Sequence, residues 1–180
     1  LRSGSYGPFI MHGAPGSGEP TFHNVPDSYV ERMTPELAVA ICNLPRIVGD
    51  HPAVGAPITL GMDREGMFVR VGIAPTKYYF PSDVTSPADV TLEDALSVLP
   101  DDTTVQQLQP TKLGDHQKKP VYAGLHKRVA YVIHGAAAPV YLPQNSIDGL
   151  TLEQAIKHLR KPPKFRSFRS SSRAKGSRKT

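Results

Sequence analysis

Side chains of unlike character alternate with a period of two in two short stretches, a third matches them loosely, and the same landmarks follow each of the three in the same order. The first stretch is Tyr6-Gly7-Pro8-Phe9-Ile10-Met11-His12-Gly13 and the second is Glu65-Gly66-Met67-Phe68-Val69-Arg70-Val71-Gly72. The third, more loosely built, is Lys127-Arg128-Val129-Ala130-Tyr131-Val132-Ile133-His134-Gly135. Phe9 and Met11, like Phe68 and Arg70, alternate with Ile10 or with Val69 and Val71, which predicts strands with two unlike faces. An apolar stretch ending in proline comes next: Val25-Pro26, Phe80-Pro81 and Leu142-Pro143. Each is read as a further strand, stopped where proline removes the amide donor. A helix then opens on threonine, in Thr34-Pro35-Glu36-Leu37, Thr91-Leu92-Glu93-Asp94 and Thr151-Leu152-Glu153-Gln154. Asp94 and Gln154 stand three residues after their threonines, as a capping box requires; unit one has Leu37 there and relies on Pro35 at the first helical position. Leu92, Ala95, Leu96 and Leu99 share one helical face, as do Leu152, Ala155, Ile156 and Leu159.

The period makes this a repeat protein. Gly13, Gly72 and Gly135 lie 59 and then 63 residues apart, and Thr34, Thr91 and Thr151 lie 57 and then 60 apart. Pro57-Ile58-Thr59-Leu60 and Pro120-Val121-Tyr122-Ala123 supply strands ahead of the second and third alternating stretches. Gly61 to Gly66 and Gly124 to His126 read as the hairpin turns between them. The expected fold is α+β: three tandem units, each a small antiparallel sheet with one helix across it. Their boundaries fall at 1–45, 46–107 and 108–160, followed by a tail at 161–180.

Composition narrows this picture. Units of about 60 residues fold alone only marginally. With 39% hydrophobic residues and no tryptophan, they should lean on one another or on a partner. The 18 prolines and 15 glycines favour turns over long helices. No apolar run approaches the ~20 residues of a membrane span, so no membrane partner is expected. The chain opens at Leu1 inside a repeat, with no signal-peptide pattern, so further sequence is expected upstream. A single cysteine, Cys42, allows no internal disulfide and no cysteine zinc cluster; it fits a reducing compartment such as a bacterial cytoplasm or an organelle matrix.

Charge is divided unevenly. Up to residue 156 there are eleven Lys/Arg against sixteen Asp/Glu, a net −5; from Lys157 onward there are ten Lys/Arg and no acid. The tail, poor in apolar residues, is expected to be disordered when alone. Its Lys161, Lys164, Arg166, Arg169, Arg173, Lys175, Arg178 and Lys179, interleaved with Phe165 and Phe168, suit a polyphosphate chain: cations for phosphates, rings for bases.

The order of motifs resembles the C-terminal repeats of bacterial-type type IA DNA topoisomerases. The resemblance is carried by Tyr6-Gly7-Pro8-Phe9, by Thr91-Leu92-Glu93-Asp94-Ala95-Leu96, and by Val48-Gly49-Asp50-His51-Pro52 running on to Gly55-Ala56-Pro57-Ile58. It spans nearly residues 1–160 and weakens in unit three. There Leu113-Gly114-Asp115-His116-Gln117 has lost two residues and the second glycine, and Val129 and Ala130 replace a glycine and an aromatic. The resemblance implies a region that holds single-stranded DNA near a separate core that cuts and rejoins it.

No catalytic chemistry is expected of the chain itself. Strand passage in that family needs a nucleophilic tyrosine in the core and an acidic metal-binding cluster. Here no Asp-x-Asp occurs, and the seven tyrosines are read into strands and turns. No His-x-x-His or Cys-x-x-Cys supports a metal, and no cofactor is implied. His51 with His116, and His12 with His134, recur at repeat positions, which suits turns and hydrogen bonds. Gly13 to Gly18 lacks the Lys-Ser/Thr of a phosphate loop and is read as a hairpin tip. The binding candidates within the repeats are Tyr6, Phe9, Phe68, Tyr79 and Tyr131 for stacking, and Arg70, Lys77, Lys127 and Arg128 for phosphates. The competing reading of Phe9, Phe68 and Tyr131 is that they are simply the core side of the sheet. The expected partner is nucleic acid, single-stranded DNA before RNA. The alternative function is an architectural RNA- or DNA-binding subunit of an organellar ribosome or nucleoid, a larger assembly that has kept the repeats without the enzyme.

Overall fold

The computed structural model describes residues 1–4, 7–13, 19–81, 86–143 and 147–160, and three antiparallel sheets arise from three successive stretches of chain. Unit one holds β1 (Arg2–Gly4), β2 (Gly7–His12) and β3 (Thr21–Asn24), with the short helix α1 (Asp27–Val30) and then α2 (Pro35–Cys42). Unit two orders β4 (Arg46–Asp50), β5 (Pro57–Asp63), β6 (Gly66–Val71) and β7 (Tyr78–Tyr79) side by side, followed by α3 (Leu92–Ser97) and α4 (Asp102–Leu108). Unit three repeats that order with β8 (Thr111–His116), β9 (Lys119–His126), β10 (Val129–His134) and β11 (Val140–Tyr141), then α5 (Leu152–Arg160). Phe9, Phe68 and Tyr131 occupy the corresponding strand in all three units. No described helix is long and apolar enough to cross a membrane.

The helices begin where the caps predict. Leu37 N–H donates to Thr34 Oγ1 at 3.2 Å, with Pro35 at the first helical position. Thr91 and Asp94 exchange reciprocal bonds, Asp94 N–H to Thr91 Oγ1 and Thr91 N–H to Asp94 Oδ2. Thr151 and Gln154 do the same. Each such cap is worth about 1 kcal/mol. Units one and two depart from a single helix. α1 buries Tyr29, so that tyrosine belongs to a helix and not to a strand or turn. α4 contributes Val105 to the unit-two core, and its Gln106 Nε2 donates to Ala53 O at 3.4 Å.

Two motifs that stand far apart in the chain meet in space. β4 and β8 each bulge, between Ile47 and Gly49 and between Lys112 and Gly114. The bulged Val48 and Leu113 pack against their cores. The bulge glycines have φ of 155° and 152°. A methyl group on Gly49 would lie 3.0 Å from Leu92, and one on Gly114 would lie 2.8 Å from Leu152. The glycine therefore admits the first leucine of the helix that closes the same sheet.

The hairpins are tighter than the glycines suggest. Gly61 and Gly124 lie inside strands, and the turns are Arg64-Glu65 and Lys127-Arg128. Lys127 and Arg128 both have positive φ, 48° and 66°, as the favoured two-residue hairpin loop requires. The strand glycines serve a different purpose: Gly61 pairs with Phe68 and Gly124 with Tyr131, and the far end of each ring lies over its glycine. A methyl at Gly124 would sit 2.5 Å from the Tyr131 hydroxyl oxygen, and one at Gly61 would sit 2.7 Å from Phe68 Cζ. Tyr131 is enclosed and cannot yield, whereas Phe68 is only half-buried. Gly124→Ala should therefore cost about 1–3 kcal/mol by overpacking, and Gly61→Ala clearly less. Urea midpoints of the two variants check this ordering.

The units lean on one another. Met62 packs against both the unit-one and the unit-two cores. Thr76 Oγ1 lies 3.0 Å from His126 Nδ1 and links units two and three.

Candidate nucleic-acid interface

Each sheet turns one face to its helix and leaves the other outward. In β6, Met67, Val69 and Val71 are buried in the core while Phe68 and Arg70 point away from it. In β2, Ile10 is buried against α2, and Phe9 and Met11 point outward. On the outward faces an aromatic of the central hairpin meets one from the following strand. The centroid distances are 5.7 Å for Phe9–Phe22, 5.8 Å for Phe68–Tyr79 and 6.2 Å for Tyr131–Tyr141. Phe22 and Tyr141 escaped the sequence reading. Their signal was an aromatic in each proline-terminated strand, two to four residues before the proline.

The three pairs differ in openness. Phe22 is 63% exposed and Tyr79 is 36% exposed, whereas Tyr131 is fully buried. Tyr131 was expected among the stacking residues, but enclosure against Gly124 and Tyr141 takes its ring out of contact with solvent. Burial, and after it the neighbouring Tyr141, pushes its hydroxyl pKa well above the ordinary value. Its Oη has no hydrogen-bond partner among the described residues. Unit three thus spends on packing the face that units one and two leave open.

Two grooves run between the units. One, of about 600 Å³, is walled by Thr21–Asn24 of β3 and the end of α2 on one side, and by Thr59, Gly61, Phe68 and Arg70 on the other. The second, also about 600 Å³, lies between Arg70, Ile73 and Lys77 of unit two and Ile133, the 135–139 turn and Tyr141 of unit three. Arg70 lines both. Its Nε is buried and has no hydrogen-bond partner among the described residues, a costly state for a guanidinium N–H unless an acceptor arrives.

The remaining cations are differently placed. Lys77 Nζ lies 2.6 Å from Asp63 Oδ2 and 4.4 Å from the Phe68 ring centre, so its charge is already balanced and it covers part of that ring. The Tyr79 hydroxyl donates to the same Asp63 oxygen at 2.9 Å. Burial pushes Asp63 up, but the Lys77, Tyr79 and Glu65 N–H bonds together hold its carboxyl below the ordinary value. Tyr79 is driven the other way, by burial first and then by Asp63. Arg46 donates to the carbonyls of Pro87 and Val90 at 2.8 and 2.6 Å and is committed to structure. Lys127 and Arg128 stand exposed at the β9–β10 hairpin tip, away from both grooves. The geometry brings together Phe9, Phe68, Arg70, Lys77 and Tyr79, and adds Phe22; it separates Lys127, Arg128 and Tyr131 from them. Tyr6 and the tail cations lie outside the described residues.

The recurrent histidines do not share one role. His51, 1% exposed, forms a turn in which its Nδ1 accepts from Ala53 N–H at 3.3 Å and its backbone bonds Ala56 and Gly55. His116 and His134 face each other at 5.5 Å, with His134 Nε2 at 2.8 Å from His116 O.

No protein-family model matches the chain. Among curated proteins, the DNA topoisomerase 1 of Synechocystis sp. is 28% identical over 188 aligned residues, covering 94% of this chain and 20% of the relative. The DNA topoisomerase 1 of Synechococcus elongatus is 30% identical over 130 residues, covering 70% of this chain and 14% of the relative. The chain spans a fifth or less of the length of these relatives. It is similar to a region of bacterial DNA topoisomerase 1.

Proposed function

We propose that this chain is a non-catalytic nucleic-acid-binding region of the topoisomerase 1 kind, holding single-stranded DNA across the outward faces of units one and two. The observation that carries the reading is that Phe22 and Phe68 line one groove, with Tyr79 paired to Phe68 at 5.8 Å on the same face and Arg70 shared by both grooves. Exposed rings offer unpaired bases a stacking surface, which duplex DNA, with its bases already stacked, cannot use. An incoming phosphate oxygen would satisfy the Arg70 Nε–H, a charge-assisted bond. The Lys77–Asp63 pair cancels within itself and leaves the body's net −5 unchanged, so within the repeats the phosphate contact falls to Arg70. The tail adds phosphate contacts through Lys161, Lys164, Arg166 and the cations that follow. Both relatives described above are named as topoisomerases, which favours this reading over an architectural subunit of a ribosome or nucleoid.

Titration of labelled single- and double-stranded oligonucleotides tests it, with preference for the single strand expected and equal affinity counting against it. The chain alone should relax no supercoiled DNA, with or without magnesium, since no Asp-x-Asp is present to hold the metal. Magnesium-dependent relaxation in a gel assay would contradict the non-catalytic assignment.

A further inference from the structure

We propose that His12, His23 and Cys42 form a binding site for a thiophilic divalent cation of the zinc class, joining the β2–β3 hairpin to the end of α2. One ligand atom from each residue lies within 4.8 Å of the other two. The convergence follows from the unit-one core. Register places Ile10 opposite His23 and His12 opposite Thr21, so the two histidines share the face that Ile10 turns toward α2. Cys42 follows the buried Ile41 at the last position of that helix. Tetrahedral zinc sets its ligand atoms roughly 3.3–3.7 Å apart, so closure asks for a movement of about 1 Å. His12 is exposed and free to supply it.

Two imidazoles and a thiolate are a borderline-soft donor set, suited to zinc and poor for magnesium or calcium. The Thr21 hydroxyl, 3.3 Å from His23 Nε2, can steady the ring if the ion takes Nδ1. Among the described residues no fourth His, Cys, Asp or Glu joins the group, which leaves one position for water or an outside donor. The ligands lie 11 and then 19 residues apart, so no spacing motif announces them. His23 also lines the first groove, and the ion would stand in its wall. The inference does not depend on the nucleic-acid reading.

The test titrates the full 180-residue chain, freed of metal and kept reduced with a phosphine, with Co²⁺ and then Zn²⁺. One equivalent of cobalt should bind with tetrahedral visible bands and a thiolate-to-cobalt charge-transfer band, and zinc should displace it. Cys42→Ser should remove the charge-transfer band. His12→Gln, at an exposed position, should weaken cobalt binding by at least the roughly 10- to 100-fold that loss of an outer-shell partner costs. His12→Gln carries the test if Cys42→Ser unfolds, which circular dichroism would reveal. Absence of binding, binding without the charge-transfer band, or unchanged affinity in His12→Gln would overturn the proposal. The last two results would assign the ion to other histidines.

Discussion

Deleting residues 161–180 should abolish most of the salt dependence of nucleic-acid binding while leaving a preference for single strands. The removed segment carries eight Lys/Arg and no acid. If about five of them engage a single strand, log K should fall against log salt with a slope near −3.5, by release of condensed counterions. The remaining 160 residues hold thirteen Lys/Arg against sixteen Asp/Glu, a net −3. Within the grooves, Arg70 Nε has no hydrogen-bond partner among the described residues, and Lys77 is held by Asp63. One or two phosphate contacts from the body would give a slope of only about −0.7 to −1.4. Titrations of the full and shortened chains at several salt concentrations read both slopes. An unchanged slope after truncation would make the tail an inert extension and assign the phosphate contacts to the folded face.

Replacing the outward-facing rings should produce the opposite signature. Phe22→Ala, Phe68→Ala and Tyr79→Ala are each expected to cost about 1–3 kcal/mol per stacked base, a loss of roughly 5- to 150-fold in single-strand affinity, with little change in slope. Phe22 is the cleanest probe, because a ring already 63% exposed contributes little to folding. Tyr79→Ala also removes one of the two side-chain donors to Asp63, but Lys77 remains bound there, so the charge on the face is conserved. Duplex affinity should hardly move in any of the three. Equal losses for single- and double-stranded DNA would mean that the rings support the fold instead of meeting bases.

The repeat was legible because each landmark is a local physical requirement. Alternation of Phe68, Val69 and Arg70 dictates a two-faced strand, and threonine followed by Asp94 or Gln154 dictates a helix start. What could not be read were requirements set by distant residues. Gly61 and Gly124 look like turn glycines until a cross-strand ring is found lying over each of them. The same holds for Gly49 and Gly114, whose partners Leu92 and Leu152 come some forty residues later. Periodicity assigned Phe9, Phe68 and Tyr131 to one face but gave no sign that unit three closes its face around Tyr131. Charge counting likewise scored Lys77 as a free cation, although Asp63 approaches it from across the hairpin.

Ultraviolet cross-linking of single-stranded DNA to the 180-residue chain, with adducts mapped by peptide mass spectrometry, reports the binding face residue by residue. The account predicts adducts at Phe22, Phe68 and Tyr79, persisting at a salt concentration that releases the tail, and none at Tyr131. Adducts confined to the tail or to unit three, with Phe22, Phe68 and Tyr79 unmodified, would contradict it.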